Sequence, residues 1–211
     1  MKKFELTNEF ITNMFGTKLF RIRALVEFGD VEAGELGGYV EKESNLGHDD
    51  NAWVYDNARV YGNARVYGDA QVSGDARVYD NAWVYGDAQV SGDARVYGNA
   101  RVYGNAWVYG NAWVYGNAWV YGNALVCSDE DYAYAHGFGS VNRTTTFFRL
   151  KDGGVGVRCG CFYGTLAQFR DKIRETHGET KKAQEYLMLA DLMELRFEED
   201  ENEVGNRKYV E

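Results

Sequence analysis

The stretch NAWVYGNAWVYGNAWVYG, Asn105–Gly122, is one hexapeptide written three times. A core assembled from unlike elements needs unlike side chains, so exact repetition points to an architecture in which every layer is the same. The repeat extends in both directions. From Asn51 to Ser128 the chain divides into 13 uninterrupted hexads, 78 residues in all. Each reads Asn or Asp, Ala, a variable residue, Val, usually Tyr, usually Gly. A fixed period of this kind marks a repeat architecture and takes precedence over local propensity.

Six residues do not fit the 3.6-residue turn of a helix, but they do fit a short strand and a corner. Successive strand side chains point to opposite faces. Ala112 and Val114 therefore share one face, Trp113 and Tyr115 the other. Ala and Val recur in every hexad, so theirs is the buried face. The variable position holds Trp, Arg, Gln or Leu and is read as outward. Gly116-Asn117 makes the corner, because Gly takes positive φ freely and Asn or Asp tolerates it better than most residues. Val and Tyr favour strands where Gly and Asn do not.

Three such sides close a turn of 18 residues. The hexad DAQVSG occurs at Asp69–Gly74 and again at Asp87–Gly92, and the block Asp69–Gly86 matches Asp87–Gly104 except at Asp80/Gly98 and Trp83/Arg101. A duplicated block of that length makes 18 residues the structural unit.

The pattern Val-x-Gly-Asn/Asp-Ala-x resembles the hexapeptide repeat of left-handed parallel β-helix proteins, best known as bacterial acyltransferases. RIRALVEFGDVEAGELGGYVEKESNL (Arg21–Leu46) before the hexads resembles YdcK-like bacterial and prophage proteins, which are commonly labelled uncharacterised acetyltransferases. RTTTFFRLKDGGVGVRCGCFYGTLAQF (Arg143–Phe169) is similar to the C-terminal module of phage-borne members. Left-handedness is implied by this resemblance alone, since the general preference for right-handed crossovers points the other way. The expected fold is thus mainly β, a three-sided left-handed parallel β-helix of about five 18-residue coils with an N-terminal cap and a small C-terminal ββαα module.

The organisation follows from where the repeat stops. Residues 1–36 are read as a cap and 37–128 as the β-helix, which opens with two looser hexads centred on Val40 and Leu46. A two-residue insertion, Asp49-Asp50, resets the phase. Residues 129–142 are read as a linker and 143–198 as two strands, joined at Asp152-Gly153-Gly154, then two helices. The first helix has Thr165 as N-cap and ends before Gly178. The second carries Ala183, Tyr186, Leu187, Ala190, Met193 and Phe197 at helical spacing. Residues 199–211, with the run EEDENE overlapping their start, are read as an acidic, solvated tail. The end turns of a solenoid are open sheet edges, so the cap and the module are expected to cover them.

The chain has 211 residues and a net charge of −9. The 13 hexads hold six Asp and five Arg, so the acid lies outside them. A net acidic chain is poorly suited to coating double-stranded nucleic acid by counterion release. Three cysteines without framework spacing favour a reducing, cytoplasmic setting. Cys159 and Cys161 fall two apart on one strand face, with too few Cys or His nearby for a metal site. MKKFELTNEF lacks an apolar run, so neither a signal peptide nor a membrane span is expected.

Read at 18-residue spacing, the outer columns carry the functional candidates. One side stacks Arg59, Arg77, Arg95 and Trp113 beside Tyr61, Tyr79, Tyr97 and Tyr115. A second stacks Arg65, Trp83, Arg101 and Trp119 beside Tyr67, Tyr85, Tyr103 and Tyr121. The third runs Trp53, Gln71, Gln89, Trp107 and Leu125. Tyr and Arg also cover a sheet surface well and support strand pairing. Read as recognition, Arg beside aromatics suits anionic or planar ligands and equally protein partners, where Tyr, Trp and Arg dominate binding energy. Trp107, Trp113 and Trp119 put a tryptophan on each side at one level, a belt expected to meet another subunit or the C-terminal module.

Catalysis finds little support. Hexapeptide acyltransferases typically form trimers and use a His as general base. The chain has only His48, His136 and His177, none within the regular hexads. His48 adjoins Asp49-Asp50, where a carboxylate would orient it, and is the weak catalytic candidate against the plainer reading of an exposed turn residue. The leading expectation is a non-catalytic binding or assembly protein of bacterial or prophage origin, homo-oligomeric as dimer or trimer, with no cofactor. One alternative is an acyltransferase using acetyl-coenzyme A. The other, implied by the phage-like module, is a counter-defence protein that binds a host protein or a nucleotide signal.

Overall fold

The computed structural model describes residues 2–140 and 143–198. The chain opens with three longer strands, β1 (Phe4–Thr12), β2 (Lys18–Ala24) and β3 (Leu36–Val40). Thirteen strands of two or three residues follow, from β4 (Trp53–Val54) to β16 (Leu125–Val126), one in each hexad. They fall into three parallel sheets and make a β-solenoid of about five turns. Within each sheet the partner of residue i is residue i+18: Arg59 pairs with Arg77, Arg77 with Arg95, and Arg95 with Trp113. Backbone hydrogen bonds run from turn to turn, as in Arg77 N–H to Ala94 O at 2.9 Å and Tyr79 N–H to Val96 O at 3.0 Å.

The inward assignment holds along the whole solenoid. Ala and Val of the hexads are fully buried and form one continuous apolar column. The Asp49-Asp50 insertion also acts as read: β3 pairs Tyr39 with Arg59 and Val40 with Val60, and Leu46 bridges Val66, an offset of 20 in place of 18. Gly37 and Gly38 allow β3 to press on the first turn. A Cβ on Gly37 would lie 2.5 Å from Val54 O, and one on Gly38 would lie 2.6 Å from Ala58 O.

One outward assignment fails at the N-terminal end. Trp53 has no exposed surface. Phe4 and Phe28 pack edge-on against its ring at 6.2 and 5.3 Å, because the β1–β2 hairpin folds over the first turn and buries what every other turn would expose. Lys3 is drawn in with it. Its Nζ donates to Ala52 O at 2.8 Å and lies 4.5 Å from the Phe28 ring, and burial lowers its pKa to about 8.

The C-terminal region corrects two expectations. Residues 129–142, read as a linker, carry β17 (Tyr132–Phe138). The module contains β18 (Arg143–Arg149), β19 (Val155–Cys159) and β20 (Phe162–Thr165), so β17–β20 form a four-stranded antiparallel sheet ahead of the two helices. Cys161 sits in the two-residue turn between β19 and β20, so it does not share a strand face with Cys159. The helices are α1 (Leu166–His177), capped by Thr165 whose hydroxyl accepts from Gln168 N–H, and α2 (Lys181–Phe197). The expected acidic tail, 199–211, lies outside the described residues.

β18 explains how the module closes the solenoid. Strand alternation sends neighbouring side chains to opposite faces. Phe148, with Tyr132 of β17 and the adjoining Leu150, enters the solenoid core. Phe147 and Val157 enter a second core with Phe169, Ile173, Ala183, Tyr186, Ala190, Met193 and Phe197 of the helices. The sheet therefore lies between the last turn and the helix pair. A buried ion pair ties the joint. Asp131 receives Arg149 Nε at 3.3 Å, the Cys127 and Ser128 N–H groups at 3.0 Å each, and the Cys127 thiol at 2.8 Å. No helix among the described residues is long and apolar enough to cross a membrane.

Candidate functional site

The 18-residue register turns the outer positions into straight columns. Tyr61, Tyr79, Tyr97 and Tyr115 stack at 5.1, 4.9 and 5.4 Å, nearly parallel. Tyr67, Tyr85 and Tyr103 stack at 5.0 and 4.6 Å, and Tyr121 follows at 4.3 Å with a tilt of 33°. Burial within the stack, then the charge that a neighbouring tyrosinate would carry, pushes Tyr79 and Tyr85 up to about 12.

On the Arg65 side, cation and ring alternate. The Arg65 guanidinium lies 5.9 Å from Trp83, Arg101 lies 4.8 Å from both Trp83 and Trp119, and Arg158 of β19 lies 5.4 Å from Trp119. The module thus supplies the last cation of a column that the solenoid begins. Each such contact contributes about 0.5–2 kcal/mol, depending on its desolvation.

The Arg59 side differs. Arg59, Arg77 and Arg95 occupy successive turns, and among the described residues only Arg95 reaches a ring, that of Trp113 at 4.5 Å. Among the described residues none of Arg59, Arg65, Arg77, Arg95, Arg101, Arg143 or Arg158 has a carboxylate within ion-pairing distance. Arg21, Arg23, Arg149, Arg170 and Arg174 all do. Arg59 Nε is buried without a hydrogen-bond partner.

The three belt tryptophans meet different neighbours. Trp119 packs between Arg101 and Arg158, and its backbone N–H donates to Thr146 Oγ1 at 3.0 Å. Trp107 lies under the Lys151 ammonium at 3.9 Å. Trp113 donates its backbone N–H to Asp129 Oδ1 at 2.6 Å, and its side chain is exposed.

His48 is held in a way the sequence did not indicate. Its Nδ1 accepts the Lys3 backbone N–H at 3.2 Å and its ring stacks on Phe4 at 4.4 Å. The expected carboxylate partner gives way to a backbone donor, since the N-terminal strand crosses directly over the imidazole. Burial lowers its pKa. His136 lies on β17, with Nδ1 3.0 Å from Thr144 Oγ1, and His177 ends α1 against Tyr186.

One corner carries a feature that the column reading missed. Asn63, Asn81, Asn99 and Asn117 form an amide ladder, each Nδ2 donating to the next Oδ1 at 3.2, 3.4 and 3.2 Å. Lys42 Nζ donates to Asn63 Oδ1 at 3.4 Å. The first hexad position read at 18-residue spacing would have found it, because the other two corners mix Asn with Asp at that position.

A family model described as the YdcK β-solenoid repeat matches residues 52–68, 58–74, 70–86, 88–104, 94–110, 100–116 and 106–122. Over these windows the hexads are similar to YdcK solenoid repeats. The matched windows start at positions that differ by multiples of six, in phase with the buried alanines, and all lie within the solenoid. A search of curated proteins returned no match.

Proposed function

We propose that this YdcK-type solenoid is a non-catalytic binding protein whose arginine columns hold an anionic ligand or the acidic surface of a partner. We infer further that its three sheets are the sides of a left-handed prism, as the hexapeptide resemblance implies, and that the protein acts as a homo-oligomer in which exposed Trp107 and Trp113 offer an apolar contact.

The observation that carries the reading is the column Arg59, Arg77, Arg95. Its members stand one strand spacing apart and lack carboxylate partners among the described residues. At the roughly 5 Å of strand spacing, adjacent like charges repel by about 1–3 kcal/mol between water-like and near-surface screening. Water and the neighbouring tyrosines reduce this, but nothing in the fold requires three cations there. An anion laid along them removes the repulsion and adds charge-assisted hydrogen bonds.

The acyltransferase reading needs a base that reaches an acceptor. His48, its weak candidate, spends Nδ1 on a backbone N–H and one ring face on Phe4, which supports a structural role. Acetyl-coenzyme A belongs to that alternative alone.

The test is native mass spectrometry of protein purified from cells, comparing wild type with Arg59→Gln/Arg77→Gln/Arg95→Gln. The expected result is a retained anionic ligand or acidic partner on wild type that is lost from the variant. The same bound species on both proteins would contradict the reading.

A further inference from the structure

We propose that the groove where the Arg101–Trp119 face meets the C-terminal module binds the phosphate group of a small phosphomonoester. This rests on the reading that the solenoid's unpaired arginines serve a ligand, but it assigns a different site with different residues. The groove encloses about 490 Å³ and is lined chiefly by Arg101, Asn117, Trp119, His136, Arg143 and Thr144. Among the described residues no carboxylate lines it, in a chain with 32 Asp and Glu and a net charge of −9.

Arg101, His136 and Asn117 each have a neighbour in the fold that orients them. The Arg101 guanidinium is held between the rings of Trp83 and Trp119, 4.8 Å from each. Stacking occupies its faces and leaves its N–H edge for an oxyanion. Arg143 crosses the β19–β20 turn at Gly160, where an added Cβ would lie 2.1 Å from its Nη1. Gly160 thus leaves room for the end of the Arg143 side chain beside the groove. His136 has Nδ1 against the Thr144 hydroxyl, so Nε2 is the nitrogen available to a ligand.

The amide ladder supplies the decisive direction. An Asn oxygen and nitrogen are distinguished by their partners. An ammonium can only donate, so Lys42 assigns the Asn63 atom facing it as oxygen and turns Nδ2 toward the next turn. Every later amide inherits that orientation through Asn99, which donates to Asn117 Oδ1. Asn117 has no Asn one turn further, because the hexads end at Ser128 and no solenoid turn follows this corner. Its Nδ2 is therefore the donor end of an aligned, mutually polarised chain, and Asn117 lines the groove.

The result is a surface of donors with two guanidiniums and no acid. An ionised phosphate, tetrahedral and acceptor-only, satisfies donors converging from both the solenoid and the module. A carboxylate has only two oxygens in one plane. The volume lies within the ordinary range for small-ligand sites and exceeds what a phosphate group fills, which leaves space for the organic part of an ester.

The experiment is isothermal titration calorimetry at low ionic strength with two probes, inorganic phosphate and adenosine 5′-monophosphate. Saturable one-to-one binding is expected for both, tighter for the nucleotide. Arg143→Gln is expected to weaken binding about tenfold or more by removing a charge-assisted contact. Asn117→Asp, which keeps the ladder's acceptor but places a carboxylate in the groove, is expected to weaken it at least as much. Both variants should keep the wild-type melting temperature, since neither side chain enters the core. The Arg59→Gln/Arg77→Gln/Arg95→Gln protein should bind both probes as wild type does, so that failure of this site and failure of the column reading are told apart. Absence of saturable binding at millimolar probe would overturn the proposal. So would affinities unchanged in Arg143→Gln and Asn117→Asp. Equal affinity for the two probes would overturn the ester assignment.

Discussion

Ala88 shows what the hexad demands of a single residue. It has no exposed surface, and it stacks between Ala70 and Ala106 in the buried apolar column. Ala88→Phe is expected to lower the free energy of unfolding by about 1–3 kcal/mol or more through overpacking, measured by chemical denaturation. Unchanged stability would contradict the inward assignment. The corner residue is constrained by backbone rather than volume. Gly98 has φ of 71°. A Cβ there would meet Gly116 N at 3.0 Å. Gly98→Ala is expected to cost about 1–3 kcal/mol. Asp56 and Asp80 occupy the same position with φ of 52° and 60°. Each compensates by accepting the N–H of the glycine one turn on, at 3.0 and 3.3 Å. These roles were legible from the sequence because the alanine recurs in every hexad and the corner glycine in most of them. That of Trp53 was not, because its burial depends on Phe4 and Phe28, which reach it only after the hairpin folds back.

At the scale of elements, the tyrosine stacks and the module joint carry separate consequences. Tyr79 and Tyr85 are pushed up to about 12 from an ordinary value near 10. A group whose pKa is raised on folding contributes stability that is complete below its unfolded pKa and lost as pH rises through the folded one. Thermal stability is therefore expected to fall as pH rises from about 10 to about 12. Replacing Tyr79 and Tyr85 by Phe should flatten that fall. An equally steep decline in the double variant would show that other groups cause it. At the joint, Asp131→Ala leaves the Arg149 guanidinium nine-tenths buried beside a lost carboxylate. Removing one partner of a buried pair costs about 3–5 kcal/mol, so chemical denaturation should show a loss of that order. The strand signal of β17 lies in the alternation Tyr132, Tyr134, His136, but Gly137 and Gly139 give the segment the composition of a loop. Its pairing with β18 decides the matter, and pairing is not a local property.

For the whole molecule, the period prescribes an interior that needs nothing from outside the chain and leaves the outward positions free to vary. Alanine and valine columns, inter-turn hydrogen bonds and stacked tyrosines account for the solenoid. The hairpin at one end and the β17–β20 sheet at the other account for its closed edges. Arg59 and Arg77 have no place in that account. Among the described residues neither guanidinium pairs with a carboxylate or lies over a ring, and Arg59 Nε is buried without a partner. The most direct measurement is the thermal unfolding of Arg59→Gln/Arg77→Gln at low and at high salt. If these cations serve a ligand, the variant should melt at or above the wild-type temperature at low salt, and any gain should shrink as salt screens the repulsion it relieves. A melting temperature clearly below wild type at both salt concentrations would show that the arginines hold the fold together, and would contradict the binding role assigned to them.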